Sequence, residues 1–354
     1  MRHIAPLTSL RFFAALWVLL FHLRIHLGSP KPLVLERLLQ AGPLAMSFFF
    51  VLSGFILAVS SLGKEPWADY SGYLWRRASR IYPIYLTYLI LFWSVIGFAG
   101  NLGSKPVRTV ALLGVTDLTL SNAWFPQLFL GGFGRDGSWS LSVEVFFYAL
   151  FPLVLMHARQ LSDKVLLRAI YWSVGLAAVG PILGKYLPGQ GVIPETVYYS
   201  LPIYRLPEFT AGVFYAVWIL RNPSRLPTGK TVVWTLLGLV LYLCLAARAL
   251  PYAGNDIVLV PALLVLFGYF LREDSSWLAR ALSTRPMVFL GEISFGIYLM
   301  QIFTINLYLQ PGHGAEWLGG AAGCLGLTIL LAAISHLFIE KPARSWMLSR
   351  KTTL

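Results

Sequence analysis

Ten runs of roughly 20 largely apolar residues recur along this chain, each long enough to cross the hydrocarbon core of a bilayer. They fall at approximately 7–27, 42–62, 81–99, 139–157, 165–184, 202–220, 231–250, 255–271, 287–309 and 316–339. Lipid offers backbone N–H and C=O groups no partners, so runs of this kind, joined by polar loops, specify helices. Composition agrees, with 57% hydrophobic and 12% charged residues against about 25% charged in soluble domains. The expected fold class is all-α integral membrane: about ten transmembrane helices around an interior cavity, with no soluble domain. The first run is as long as the later ones and has no small-residue cleavage site behind it, so it reads as a retained helix rather than a signal peptide.

The connections alternate in charge. Residues 64–80, 158–164, 221–230, 272–286 and the tail after 340 carry most of the 28 Lys and Arg residues, and the positive-inside rule places these loops and both termini in the cytoplasm. The same distribution accounts for the net charge of +13 without nucleic acid, because no single patch gathers it. Cys244 and Cys324 lie inside apolar runs without metal-ligand spacing, which supports neither a disulfide framework nor a metal site. Residues 100–138 form a long outer loop whose stretch "VALLGVTDLTL" suits a re-entrant or interfacial helix. Its aromatic residues, among them Trp124, Phe125, Phe129 and Phe133, suit sugar stacking and an interfacial belt equally. One membrane domain, 1–345, and a short basic cytoplasmic tail, 346–354, account for the chain.

Several runs contain residues that lipid does not tolerate without a reason. In "LTSLRFFAALWVLLFHL", Arg11 and His22 are 11 positions apart, close to three helical turns, which puts them on one face ~16 Å apart along the axis. Arg11 lies near the cytoplasmic end, where snorkelling to the interface is the plain alternative; His22 lies in the outer half. In "FFFVLSGFIL", Ser53 and Gly54 interrupt a bulky face and admit either a neighbouring helix or a ligand. "YLWRRASRIYPIY" places Arg76, Arg77 and Arg80 at a cytoplasmic mouth, as topology signals or as a fork for phosphate oxygens. In "DGSWSLSVEVFFYALFP", Glu144 enters the bilayer from outside to a depth comparable with His22. A buried carboxylate needs a partner, and His22, which it could hold in one tautomer, is the expected one. Arg205 and Glu208 lie one turn apart, paired with each other or facing substrate. Ser294, Tyr298 and Gln301 share a helical face, and Glu340 in "IEKPAR" is expected to answer a basic loop.

Together these stretches resemble the membrane acyltransferase 3 family, over nearly the whole chain. Arg11 and His22 match its pattern of a basic residue, ten residues, then histidine. Phe49, Ser53 and Gly54 match its phenylalanine-rich Ser-Gly motif, Arg77 and Arg80 its R-x-x-R motif, and Trp139, Ser140, Leu141 and Glu144 its W-S-L-x-x-E motif. Many members carry a histidine where this chain has Gln301. Some also carry an appended hydrolase-like domain; without one, acyl delivery falls to the membrane domain or to a separate partner.

The resemblance implies an O-acyltransferase of the bacterial cytoplasmic (inner) membrane. It would move an acyl group, most simply acetyl, from cytoplasmic acyl-CoA to a hydroxyl of a cell-surface sugar or polysaccharide precursor. In that scheme His22, Glu144 and Arg11 are catalytic. Arg77, Arg80, Arg76 and Ser53 hold the acyl-CoA, while Trp139, Ser140, Arg205 and Gln301 meet the acceptor. His22 serves either as base toward the hydroxyl or as a covalent acyl carrier. Acetyl-CoA or another acyl-CoA is the donor, with no metal; acceptor, donor and membrane lipids are the partners, with no nucleic acid. A transporter or flippase is the rival reading, since polar residues at mid-depth also line substrate paths, and an inactive scaffold would leave Glu144 unexplained.

Overall fold

All ten apolar runs fold as helix over most of their described length, and no strand occurs among the described residues. The computed structural model describes residues 4–27, 33–61, 63, 67–97, 106–125, 137–186, 195–272, 276–308 and 317–351; Phe129 and Phe133 lie outside them. In chain order the helices are α1 (Ala5–Leu27), α2 (Leu33–Gln40), α3 (Ala45–Ser60), α4 (Tyr70–Leu91), α5 (Val107–Leu118), α6 (Trp139–Gln160), α7 (Asp163–Tyr186) and α8 (Glu195–Ser200). There follow α9 (Pro202–Arg221), α10 (Gly229–Leu245), α11 (Asp256–Tyr269), α12 (Trp277–Leu282), α13 (Arg285–Glu292), α14 (Ser294–Tyr308), α15 (Trp317–Ser335) and α16 (Lys341–Lys351). The residues expected as a basic tail are helical through Lys351, as the end of α16.

Among the described residues, six segments are long and apolar enough to cross a membrane: Ala5–Leu27, Leu33–Ser60, Trp139–Gln160, Asp163–Ile182, Tyr252–Tyr269 and Gly319–Arg350. The pair α13 and α14, bent by 57°, makes a seventh when taken as one span. The remaining expected spans differ for visible reasons. Arg76, Arg77 and Arg80 sit within α4, Arg205 and Glu208 within α9, and α10 is 17 residues long. The chain is a multi-pass, all-helical membrane protein. α5 has 12 residues and exposes Val107, Leu112, Val115 and Leu118, as an interfacial helix does.

Three contacts set the frame around the polar residues. α3 and α9 cross at two glycines: a Cβ on Gly54 would overlap the Phe209 carbonyl, and one on Gly212 the Val51 carbonyl. Gly54 is thus a helix-packing residue, which leaves its neighbour Ser53 free to face elsewhere. Gly291 lets α13 approach the Thr8 carbonyl of α1 just as closely. Finally, α15 passes through a π-helical turn, His336–Glu340, into α16, and the Trp75 indole of α4 donates to the Met347 carbonyl at 2.9 Å. That bond fastens α16 alongside α4. A π turn adds one residue per turn and re-aims side chains, which is why such turns recur at functional positions.

Candidate active site

A pocket of about 390 Å³ lies where α1, α3, α4, α6 and the π turn meet. α1 contributes Thr8 and Arg11, one turn apart, and α3 contributes Phe49 and Ser53 at i, i+4. α4 contributes Arg77 and Arg80, and α6 contributes Glu144 and Tyr148. Lys341 and Arg344 enter from α16, Glu292 from α13, and His336 and Glu340 from the π turn. Five cationic side chains therefore line one space with three carboxylates. Two of those carboxylates are engaged by His336, whose Nδ1 is 2.8 Å from Glu340 and whose Nε2 is 3.7 Å from Glu292. The third, Glu144, has Arg80, Arg11, Tyr148 and Arg77 as its surroundings. Among the described residues, no carboxylate lies within ion-pairing distance of Arg77, Arg80, Lys341 or Arg344.

A smaller pocket of about 40 Å³ adjoins the first, with Arg11, Phe49 and Glu144 lining both; His22 and Gln301 line neither. Its further wall holds Ser140 and Tyr298. The Ser140 hydroxyl donates to Tyr298 Oη at 3.0 Å, and Tyr298 donates to the Gly137 carbonyl at 2.6 Å. Gly137 has φ +84°, a left-handed conformation that glycine adopts without strain. One turn beyond Tyr298 on α14, Gln301 is fully buried, and its Oε1 lies 3.3 Å from His22 Nδ1. This contact holds the imidazole of α1 by one ring nitrogen through an uncharged amide.

Two site expectations change here. Glu144 does not hold His22; it faces Arg11 and Arg80 at the junction of the two pockets, and Gln301 takes the orienting position on His22. The reason is depth: Arg11 and His22 share one face of α1 about 16 Å apart, and α6 brings Glu144 to the level of Arg11 rather than of His22. Arg76 also departs from its neighbours. It points outward into an exposed pair with Asp69 at 3.0 Å and lines neither pocket.

Arg205 is likewise outside the pocket walls. It is buried between the Phe50 and Tyr199 rings, 5.1 and 5.2 Å away, and paired with Glu208 at 2.8 Å and Asp256 at 3.7 Å. Ser47 accepts from Arg205 at 3.2 Å. This cluster joins α3, α9 and α11 internally rather than facing a ligand. Trp139 packs on Tyr199 with centroids 4.9 Å apart, at the edge of the same cluster. Glu340 answers His336, not a basic loop. Lys341, Arg344, Glu292, His336 and Tyr148 were not singled out as site residues from the sequence. For the first two a signal existed: Lys341 and Arg344 are a basic i, i+3 pair directly after the last apolar run.

Five cationic side chains and three carboxylates facing one pocket inside a multi-pass membrane protein define the class of membrane-embedded enzymes. It belongs to the acyltransferase domain family, whose profile matches residues 5–336. By that membership it is a membrane O-acyltransferase. It is 31% identical, over 95% of its length, to acyltransferase MdmB of Streptomyces mycarofaciens, 90% of which is covered. It is 26% identical over 97% of its length to a putative peptidoglycan O-acetyltransferase, YrhL, of Bacillus subtilis. It is also 24% identical over 97% to the peptidoglycan O-acetyltransferase OatA of Listeria monocytogenes. The chain spans 55% and 56% of the length of those two. No solved structure matches it.

Proposed function

We propose that the protein transfers an acyl group, most simply acetyl, from cytoplasmic acyl-CoA to a hydroxyl of a sugar-containing acceptor reached from the opposite side of a bacterial inner membrane. The carrying observation is that Arg11 and Glu144 line both pockets, so the cationic pocket and the smaller one at Ser140 and Tyr298 share a wall; His22 itself lines neither. The proposed architecture keeps all ten segments as spans, α4, α9 and α10 included, with both termini cytoplasmic. An apolar criterion undercounts such helices because Arg77, Arg80 and the Arg205 cluster are turned inward. Residues 1–345 form the transferase domain.

In this reading Arg77 and Arg80 bind donor phosphates, and Arg11 meets the diphosphate or the pantetheine arm, with Ser53 alongside, while the thioester reaches toward His22. The ~16 Å between Arg11 and His22 is of the order of an extended pantetheine. His22 Nε2 takes the proton of the acceptor hydroxyl; the oxygen attacks the thioester carbonyl, the C–S bond breaks, and the thiolate leaves with that proton as free CoA. Gln301 keeps Nε2 available throughout, and Glu144 balances Arg11 and Arg80. Trp139 and Ser140 border the acceptor end. The sugar class follows the cell-wall polymer named for two of the relatives, and MdmB extends the range to other acceptors.

The test is release of free CoA, together with transfer of label, by purified protein given radiolabelled acetyl-CoA and a cell-envelope glycan extract. Acceptor-dependent CoA release is expected. Movement of labelled glycan across the membrane without CoA release would replace this reading with a transporter.

A further inference from the structure

The cationic pocket has two walls of different depth. Arg77 and Arg80, on α4, are half-buried, and Arg77 is held against the Tyr73 and Tyr148 rings at 5.7 and 6.0 Å. Lys341 and Arg344, on α16, are exposed at the mouth of the same pocket. Like charges repel, yet the fold brings Arg344 into the electrostatic range of Arg77. The bond from Trp75 to the Met347 carbonyl keeps it there: Trp75 is two residues before Arg77, and Met347 is three after Arg344. Glu340 bonds His336 at 2.8 Å and Glu292 lies 3.7 Å from the same ring. Five cationic side chains against three carboxylates leave the pocket net positive, which suits an anionic ligand.

We infer that Lys341 and Arg344 form a second phosphate subsite, distinct from the one at Arg77 and Arg80, and that it takes the phosphate of the donor nucleotide farthest from the reacting group. The assignment rests on the donor reading above. In an acyl-CoA the thioester comes first, then the pantetheine arm, then the diphosphate, and the ribose 3′-phosphate lies farthest away. With the pantetheine arm running past Arg11 and the thioester toward His22, the half-buried Arg77 and Arg80 meet the diphosphate. The exposed Lys341 and Arg344 are left for the 3′-phosphate.

Equilibrium binding of acetyl-CoA and of 3′-dephospho-acetyl-CoA to purified full-length protein in nanodiscs tests this. Wild type should bind acetyl-CoA roughly tenfold or more tightly than the dephospho analogue, the range of a charge-assisted contact. Lys341→Gln with Arg344→Gln should bind both ligands alike, at the wild-type affinity for the dephospho form. Arg77→Gln with Arg80→Gln should weaken both ligands and keep the ratio. The exchange Lys341→Arg with Arg344→Lys should restore the ratio, which separates lost charge from lost folding. If the Lys341/Arg344 variant keeps the wild-type ratio, or wild type does not distinguish the ligands, the subsite assignment is overturned while the donor reading stands. If wild type binds neither ligand, the donor reading itself fails.

Discussion

His22 Nδ1 faces Gln301 Oε1 at 3.3 Å, so that an uncharged amide, not a carboxylate, orients the imidazole of α1. An amide contact orients the ring without adding charge beside it. It therefore organises the base while giving little electrostatic stabilisation to an imidazolium formed during reaction.

Gln301→Leu removes that acceptor at similar volume and should lower kcat by roughly 10- to 100-fold with a smaller change in donor KM, the range for losing the orientation of a general base. His22→Ala should abolish transfer while leaving acetyl-CoA binding near wild type. Steady-state kinetics on the two purified variants check both; equal losses in kcat and donor affinity would contradict the separation of base from donor site.

Glu144→Gln keeps the side-chain shape beside Arg11 and Arg80 and removes the charge. Transfer should fall about tenfold or more, as for an unbalanced buried charge, but the acidic limb of the pH–rate profile should stay in place, because Glu144 does not contact His22. A displaced limb would restore the coupling that the structure removes.

Arg77→Ala with Arg80→Ala should weaken acetyl-CoA binding by one to two orders of magnitude, at about 1.4 kcal/mol per tenfold. The salt dependence of binding should flatten with it. Unaltered affinity in titration calorimetry would return these arginines to the role of topology signals.

Gly54→Leu and Gly212→Leu each drive a side chain into an opposing carbonyl at the α3–α9 crossing. Overpacking at a fixed backbone contact costs about 1–3 kcal/mol and sometimes more, so both variants should melt several degrees lower in detergent. Ser53→Ala, one position away but facing the pocket, should melt as wild type.

Asp117, at the end of interfacial α5, is buried, and burial pushes its carboxyl up to about 6 from 3.8 against the opposing hydrogen bonds of Asn122 and Trp93. The folded loop then holds a proton, between roughly pH 4 and 6, that an unfolded loop has released. Its stability is therefore full below about pH 4 and declines as pH rises through about 6. Hydrogen exchange over residues 106–125 should quicken across that window in wild type and show no such pH dependence beyond the intrinsic rate in Asp117→Asn.

Much of this protein is set locally. Helices at the ten apolar runs follow from run length and the need of a backbone in lipid to bond to itself. The membership of Arg11, Ser53, Arg77, Arg80 and Glu144 in one family pattern is equally visible, because motif spacing is a property of the chain. What each residue faces is not. The Ser53–Gly54 step divides between a pocket and a helix crossing only because α9 brings Gly212 against it. Counting residues from the end of α6 puts Glu144 level with His22, but how deeply a helix end is seated is set by its packing, and that packing gave Glu144 to the arginines and His22 to Gln301. Arg76 and Arg77 are adjacent in sequence and point about 100° apart on a helix, one into an exposed pair with Asp69 and the other into the pocket. Lys341 and Arg344 join Arg77 across more than 250 residues of chain. Ionic interactions depend on distance in space, so that juxtaposition exists only once α16 is fastened to α4.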